Sequence, residues 1–199
     1  MYRLTKSIPA IILNSGYSTR LGEPKSLIQV SGKSLLTHAV ERLLFAGCSP
    51  IVIVANKELQ FDSVMNSNGA TVVVNNNPEN GRTGSLKVAL NSIMTELGRI
   101  PNSVIMSPID RPGWKSSHIT QLFQAKKSSC LSQSGQKGHP VKLVKSDLLK
   151  IINAPDDIPL RDLVEFDNTE VADALLSLNI DTPEDLVELS KHSEFFDEL

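Results

Sequence analysis

Short uninterrupted runs of apolar residues alternate along this chain with segments whose apolar residues recur at helical spacing. Four runs have strand length and are rich in Val or Ile: residues 8–13, 51–55, 70–74 and 104–106. Runs without polar interruption predict strands that are covered on both faces. A last strand is predicted at residues 174–180, just before a helix start at Thr182-Pro183-Glu184-Asp185.

The segments between the strands predict helices. Ser34 is placed to cap a helix that ends before Gly47, and Ser85 stands at the head of a second helix that reaches Leu97. Further helices are predicted at residues 119–125 and 147–152. Strands that alternate with helices predict one α/β domain over residues 1–199, with a mostly parallel, Rossmann-like sheet in a three-layer α/β/α sandwich. Ligands of such sheets bind outside the carboxyl ends of the strands.

Charge and composition narrow the function classes. The net charge is −2, but residues 1–150 hold 18 of the 20 basic and only 8 of the 22 acidic residues. This asymmetry favours an anionic ligand such as a triphosphate and is too mild to indicate nucleic acid, although ordinary solvated surface explains it equally well. The first apolar run is too short for a signal or membrane segment, so we expect a cytoplasmic protein without a membrane partner. Cys48 and Cys130 lack metal-type spacing and are expected to be free buried thiols.

The loop after the first strand carries the strongest chemical signal: Leu13-Asn14-Ser15-Gly16-Tyr17-Ser18-Thr19-Arg20-Leu21-Gly22-Glu23-Pro24-Lys25. Glycine and small hydroxyl residues let backbone N–H groups approach phosphate oxygens closely. Arg20 and Lys25 add positive charge that could hold a triphosphate and stabilise the leaving pyrophosphate. The spacing matches neither the dinucleotide-binding glycine fingerprint nor the Walker loop.

This loop resembles the first motif of the molybdenum cofactor nucleotidyltransferases, the MobA-like NTP transferases. Further matching segments follow in the family's order: Gly32-Lys33-Ser34-Leu35-Leu36, Asn77-Pro78, Gly84-Ser85-Leu86, Asp110-Arg111-Pro112, Gly138-His139-Pro140-Val141 and 179–186. Their order is most similar to the family's cytidylyltransferase branch. The resemblance implies a fold like that of the nucleotide-diphospho-sugar (GT-A-like) transferases. Asn14-Ser15 replace small residues that lie against the nucleobase in relatives, so the base stays open.

The resemblance also implies roles for individual residues. Arg20, Lys25 and Asp110 would be catalytic, with Asp110 as a ligand of Mg²⁺, and His139 would touch the acceptor. Asp181 is the second candidate metal ligand because it follows the last predicted strand. Nucleotide contacts are expected from Leu13, Asn14, Ser15, Gly16, Ser18, Thr19, Gly22, Gly84 and Ser85.

Each of these residues also has a purely structural interpretation. An aspartate can end a strand or cap a helix, Ser85 can be a plain N-cap, and His139 can sit in a turn. Arg82 is either an extra phosphate ligand or an exposed loop residue, and Lys33 can simply occupy a turn. His38 is expected to pack or to lie on the surface, and Trp114 could stack on an acceptor ring but is expected to pack.

Together these features predict in-line attack by an acceptor phosphate on the α-phosphorus of a nucleoside triphosphate, with CTP favoured and GTP as the alternative. The acceptor would be a molybdopterin-type cofactor or, alternatively, a sugar phosphate or another alcohol phosphate. The family resemblance also suggests transient contact with an enzyme that accepts the finished cofactor. A different class remains open, in which the protein binds a nucleotide as a sensor or assembly subunit without turnover.

Overall fold

The computed structural model describes residues 7–199. Its strands are β1 (Ala10–Asn14), β2 (Gln29–Val30), β3 (Lys33–Ser34), β4 (Ile51–Ala55), β5 (Thr71–Val74), β6 (Ser103–Pro108), β7 (Ser129–Gln133), β8 (Gln136–Val144) and β9 (Asp167–Glu170). Its α-helices are α1 (Leu35–Phe45), α2 (Gln60–Met65), α3 (Gly81–Leu97), α4 (Ser116–Gln124), α5 (Lys145–Asn153), α6 (Leu160–Leu163), α7 (Pro183–Lys191) and α8 (Ser193–Phe196). Short 3-10 turns occupy Lys25–Leu27 and Pro78–Asn80.

Seven of the strands form one sheet in the order β5-β4-β1-β6-β8-β7-β9. The four strands predicted from apolar runs, β1, β4, β5 and β6, pair in parallel. Strand β8 is antiparallel to both of its neighbours, and β9 pairs in parallel with β7. The prediction of a mostly parallel sheet is therefore confirmed.

Both faces of the sheet are buried at β1, β4 and β6, which explains the uninterrupted apolar runs there. Alternate residues of β1 enter different cores: Ala10 and Ile12 pack with α1, α4 and the C-terminal helices, whereas Ile11 and Leu13 pack with α3 and α5. Helices therefore cover the two faces as separate layers, and the three-layer α/β/α arrangement is confirmed. Among residues 7–199, no helix is both long and apolar enough to cross a membrane.

Capping residues fix the helix starts that the sequence predicts. The Ser34 hydroxyl accepts the Thr37 N–H at 3.1 Å at the start of α1. Helix α7 begins at Pro183, as the Thr182-Pro183 pattern indicates. By contrast, α3 begins at Gly81, four residues before the predicted head at Ser85. Ser85 instead lies inside the helix, where its hydroxyl donates to the Gly81 carbonyl at 3.0 Å.

The prediction of a strand at residues 174–180 is wrong. Ala174, Leu176, Leu178 and Ile180 are buried in alternation, which is the pattern of a strand. However, the Leu178 N–H turns back to the Leu175 carbonyl at 2.9 Å, so the ladder is interrupted. Residues 174–180 instead form an irregular segment with a turn at 176–177, and its four buried apolar side chains belong to the core that contains Ala10 and Ile12.

Three strands of the seven-stranded sheet were not predicted, because their residues are largely polar, and the short β2–β3 pair was not predicted either. Strand β7 reads SCLSQ, β9 reads DNTE, and β8 contains Lys137 and Lys142. Lys142 is buried, and its ammonium donates to the carbonyls of Phe123 at 2.9 Å and Ala125 at 2.7 Å. Tertiary hydrogen bonds therefore let a charged residue occupy a central strand, which hydrophobic periodicity does not reveal.

Candidate active site

A cavity of about 200 Å³ opens at the carboxyl ends of β1 and β6. It is lined by Leu13, Asn14, Ser15, Gly16, Ser18, Lys25, Pro78, Gly81, Arg82, Ser85, Pro108, Ile109 and Asp110. Eight of these residues are among the predicted site residues. Lys25 and Asp110, which are far apart in sequence, therefore face one space at the sheet edge where ligands of parallel sheets bind.

The loop after β1 is held in a compact turn. Ser18 has a left-handed backbone with φ of +50°, and its carbonyl accepts the N–H groups of Leu21 at 3.1 Å and Gly22 at 3.2 Å. Its hydroxyl accepts the Lys25 N–H at 3.4 Å. Gly22 has a φ of +81°, a conformation that favours glycine. The turn thus brings the start of the loop and Lys25 together.

Lys25, Arg20 and Asp181 form a charge cluster beside the cavity. The Lys25 ammonium pairs with Asp181 Oδ1, and the Arg20 guanidinium lies 3.1 Å from Asp181 Oδ2. Asn179 donates to the same carboxylate at 2.8 Å. The hydrogen bond from Lys25, with the further help of Asn179 and Arg20, keeps the pKa of Asp181 below its ordinary value. Only 14% of the Lys25 side chain is exposed, against 71% of Arg20.

The segment that carries Asp181 is tied to the end of β6. The Ile180 N–H donates to the Asp110 carbonyl at 2.9 Å, so residues 179–181 lie beside Asp110. At the other side, the Asp185 carboxylate accepts the N–H groups of Asp181 at 2.8 Å and Thr182 at 2.7 Å. These two N–H groups lower the pKa of Asp185. The backbone thus holds the segments that carry Asp110 and Asp181 beside each other.

Asp110 has one carboxylate oxygen paired and one free among the residues that the structure describes. Arg82 lies 3.9 Å from Oδ2, whereas Oδ1 is buried and has no hydrogen-bond partner among residues 7–199. Such an oxygen is a suitable ligand for a hard cation. Within the described residues, however, no group of three or more His, Cys, Asp or Glu side chains is placed to hold a metal.

A buried polar network supports Asn14 and Ser15. The Asn14 amide donates to Ser63 Oγ at 3.0 Å, and Ser15 Oγ lies 2.8 Å from Ser85 Oγ. Two further asparagines, Asn56 and Asn75, follow β4 and β5 and donate to the Ser15 carbonyl at 3.2 Å and to Ser85 Oγ at 3.0 Å. Neither asparagine was predicted as a site residue, although each stands just after an apolar run, where the strand ends at the ligand-binding edge of the sheet.

A larger cavity of about 710 Å³ adjoins the first and shares Gly81 and Arg82 with it. The basic residues that line it are Arg82, Arg111, Lys137 and Arg161. Apolar residues cover another part of its wall: Val141, Ile158, Leu160, Val164 and Phe166. Of these basic residues, only Arg82 was predicted as a candidate ligand, and Arg111 was noted only as part of the matching segment Asp110-Arg111-Pro112.

His139 lies in this larger cavity and not beside Lys25. Cys130 pairs with Val141 and Leu131 with Gly138, so His139 and Pro140 form a bulge in β8 and not the expected loop. Burial lowers the pKa of His139 to about 3, with further lowering by Arg82 and Arg111. Its imidazole is therefore neutral near pH 7, and Nδ1 is buried without a partner among the described residues.

Several predicted site residues lie outside both cavities. Arg20, Thr19, Gly22 and Asp181 belong to the surrounding loops. Gly84 is buried in α3 and lies against Asn80 at the start of that helix, since a Cβ atom at Gly84 would be 2.8 Å from the Asn80 Cβ.

The remaining candidates have structural surroundings. Lys33 pairs with Glu41 at 2.6 Å. His38 is buried against the Val30 carbonyl at 2.8 Å, and Trp114 is buried in the core, as expected. Cys48 and Cys130 are both buried and free, which confirms that prediction.

Two curated relatives with different names are similar to this chain in sequence. The chain is 24% identical over 204 residues to a molybdenum cofactor guanylyltransferase from Rhizobium rhizogenes, with 92% of this chain and 91% of the relative covered. It is also 24% identical over 146 residues to a nicotine blue oxidoreductase from Paenarthrobacter nicotinovorans, with 67% and 69% covered.

The comparison with solved structures agrees on the fold. Rv0371c from Mycobacterium tuberculosis H37Rv superposes with a TM-score of 0.79 and 20% identity over 95% of this chain and all of that chain. Its manganese complex gives a TM-score of 0.73 and 18% identity, with 94% and 99% covered. The family model of the MobA-like NTP transferase domain matches residues 10–183, from the first residue of β1 to the first residue of α7. With the loop, the two aspartates and the sheet order in place, the chain belongs to the MobA-like NTP transferase family of nucleotidyltransferases.

Proposed function

We propose that this protein is a Mg²⁺-dependent nucleotidyltransferase that transfers a nucleoside monophosphate from CTP, or alternatively GTP, to the phosphate of a molybdopterin-type cofactor and releases pyrophosphate. One observation carries the proposal: Lys25 and Asp110 line the same cavity at the carboxyl ends of β1 and β6. A cation and a metal-binding carboxylate that face one space are what a triphosphate and its metal require.

The chemical step needs no nucleophilic side chain. An acceptor phosphate oxygen attacks the α-phosphorus, the bond from that phosphorus to the bridging oxygen breaks, and its electron pair leaves with pyrophosphate. A phosphate monoester is already ionised near pH 7, so no general base is needed. Lys25 and Arg20 would neutralise the charge that develops on pyrophosphate, and positioning with charge neutralisation supplies most of the rate in such transfers.

The residues present fit a bound Mg²⁺. Asp110 Oδ1 is buried without a partner among the described residues, and Asp181 is the second carboxylate at this edge. Mg²⁺ is commonly held by one or two carboxylates together with substrate phosphates and waters, so two aspartates suffice. When bound, the ion would supply charge neutralisation on the phosphate oxygens.

The charged groups at the site are paired with one another. Lys25 and Arg20 pair with Asp181, while Arg82 approaches Asp110. A metal-bound triphosphate offers phosphate oxygens to the three cations and a metal to the two carboxylates, so all five groups would exchange partners together. Metal and triphosphate should consequently bind better together than either does alone.

The identities of the acceptor and of the nucleobase have weaker support than the reaction class. The guanylyltransferase relative favours a molybdenum cofactor acceptor with GTP, whereas the order of the sequence motifs favours CTP. The oxidoreductase relative has the same percentage identity, so family membership by itself does not fix the reaction. The cation–carboxylate arrangement is what favours nucleotidyl transfer here. A sugar phosphate or another alcohol phosphate is the second acceptor class.

The test is release of pyrophosphate with Mg²⁺, each of CTP, GTP, ATP and UTP, and either a molybdopterin-type acceptor or a sugar phosphate. We expect one nucleotide to support release that depends on the acceptor. Lys25→Ala and Asp110→Asn should each lower turnover by about 10²-fold or more, the scale on which single electrostatic groups contribute.

Matched variants control for nonspecific effects. Lys126→Ala and Asp197→Asn change exposed residues outside both cavities and should retain wild-type turnover. Near-wild-type release from Lys25→Ala or Asp110→Asn would contradict the proposed roles. Nucleotide binding with Mg²⁺, but no pyrophosphate with any acceptor, would favour a sensor or assembly protein.

A further inference from the structure

The larger cavity combines positive charge with unsatisfied polar atoms. Four basic side chains line it, against the single acid Asp157. Two buried polar atoms of lining residues, Arg111 Nε and His139 Nδ1, have no hydrogen-bond partner among residues 7–199. Buried polar groups are normally paired, so these two atoms indicate that a ligand completes the site.

Arg111 is the key residue of this surface. It directly follows Asp110, and among the described residues it forms no ion pair with a carboxylate. A guanidinium presents several donors in a fixed plane that suits two oxygens of one phosphate. Arg111 is therefore free to bind an anion that enters the larger cavity.

Arg82 connects the two cavities. It lines both of them, and its guanidinium lies 3.9 Å from Asp110 Oδ2. An anion held between Arg82 and Arg111 would consequently sit next to Asp110, at the border of the smaller cavity. The border is where an attacking oxygen must lie if the triphosphate occupies the smaller cavity.

His139 leaves the positive potential of this border unchanged, because its imidazole is neutral. Burial and the two neighbouring arginines keep the pKa at about 3. A neutral imidazole can donate or accept one hydrogen bond through Nδ1 without adding charge. His139 is thus suited to orient a ligand, while the arginines provide the attraction.

We propose that Arg111 and Arg82 bind the reacting phosphate of the acceptor, and that Arg111 selects phosphate monoesters over their dephosphorylated forms. The apolar wall formed by Val141, Leu160, Val164 and Phe166 would hold a body with a large apolar surface and not a polyol. This inference rests on the proposed function for its placement of the nucleotide. The anion site itself can be tested separately.

The test uses 1-naphthyl phosphate as a fluorescent probe, with 1-naphthol and glucose 1-phosphate as comparison ligands, and measures each Kd by titration. The wild-type protein should bind 1-naphthyl phosphate about tenfold or more tightly than either comparison ligand, since charge-assisted hydrogen bonds and the apolar wall both favour it. Arg111→Gln should reduce the difference between the phosphate and 1-naphthol to less than about threefold. Equal wild-type affinities for 1-naphthyl phosphate and 1-naphthol would overturn the proposal without any variant.

Three further variants locate the site. Arg99→Gln changes an exposed arginine that precedes β6 at the opposite end from Asp110, and it should bind the probe like wild type. Arg111→Lys should retain part of the preference for the phosphate, which a merely structural role would not produce. Lys25→Ala should lose affinity for the Mg²⁺–nucleotide while it retains the probe. Loss of the probe from Lys25→Ala, with full retention in Arg111→Gln, would overturn the assignment.

The two proposals fail differently. Absence of pyrophosphate with every acceptor would refute the reaction and leave the probe result standing. An equal Kd for 1-naphthyl phosphate in the wild type and in Arg111→Gln would refute the acceptor site even if pyrophosphate were released.

Discussion

Gly113 lies where the chain after β6 touches the segment that leads to Asp181. A Cβ atom at this position would lie 2.0 Å from the Leu175 carbonyl oxygen and 2.6 Å from its carbon. Both are backbone atoms, so no side chain can rotate away. Gly113→Ala must therefore separate the two segments and stretch the hydrogen bonds Leu175 N–H to Gly113 O and Ile180 N–H to Asp110 O, at 2.8 and 2.9 Å.

The cost follows from these contacts. Overpacking a tight site costs about 1–3 kcal/mol and each lost hydrogen bond about 1 kcal/mol, so we expect a loss of about 4 kcal/mol. For a chain of this length, about 2–4 °C per kcal/mol gives a Tm lower by about 8–16 °C. Turnover should fall as well, because the same hydrogen bonds hold Asp110 and Asp181 side by side.

Thermal unfolding followed by circular dichroism measures this effect, with Gly16→Ala as the matched control. A Cβ atom at Gly16 meets nothing within 4 Å, so its Tm should stay close to that of the wild type. A Tm for Gly113→Ala within about 2 °C of the Gly16→Ala value would refute the close contact and the coupling that we derive from it.

Two other variants test parts of the structure that hold the site. Arg42→Met should lower the free energy of unfolding by about 2–4 kcal/mol and expose residues 193–199 to carboxypeptidase. The reason is that the buried guanidinium donates to the carbonyls of Pro112, Trp114, Phe195 and Glu198. Urea unfolding and carboxypeptidase digestion measure the two effects, and an unchanged urea midpoint would contradict the prediction. Asp181→Asn should be less stable than wild type at pH 5, with a difference that shrinks towards pH 2. The folded-state pKa of Asp181 is lowered, so its ion pair stabilises the fold above the ordinary carboxylate pKa of about 4 and loses that effect as pH falls through the lowered value. Urea midpoints at the two pH values measure this, and a difference that grows on acidification would reverse the assigned sign.

Apolar patterning was sufficient for the strands that build the parallel half of the sheet. β1, β4 and β6 are buried on both faces, and that burial is visible as runs of Val and Ile. Strand β5 lies at the sheet edge and is half-buried, with Val72 packed against one core and Val73 against the other. The strand predicted at residues 174–180 was wrong because alternating burial occurs there without the hydrogen-bonded ladder of a strand. Polar strands such as β9 depend on partners distant in sequence, which local patterning does not reveal.

In the candidate site too, some residues could be predicted from local sequence and others could not. The loop from Leu13 to Lys25 carries its glycine and cations within a single stretch, so its position could be predicted. The roles of Arg111 and Asn75 can be inferred only from the folded structure. Arg111 lines the larger cavity, and Asn75 donates to the Ser85 hydroxyl. His139 was singled out by its motif, but its bulge follows from the pairing of β7 with β8, and its neutral state follows from burial with a further contribution from the charges of Arg82 and Arg111.

The fate of two labelled phosphates decides whether a triphosphate is cleaved between the cation of Lys25 and the carboxylate of Asp110. The accepted nucleotide is supplied with ³²P at either the α or the γ position, together with Mg²⁺ and the acceptor that supports pyrophosphate release. We expect the α label in the acceptor product and the γ label in pyrophosphate. Appearance of the γ label in the acceptor, or retention of both labels in intact nucleotide, would contradict nucleotidyl transfer at this site.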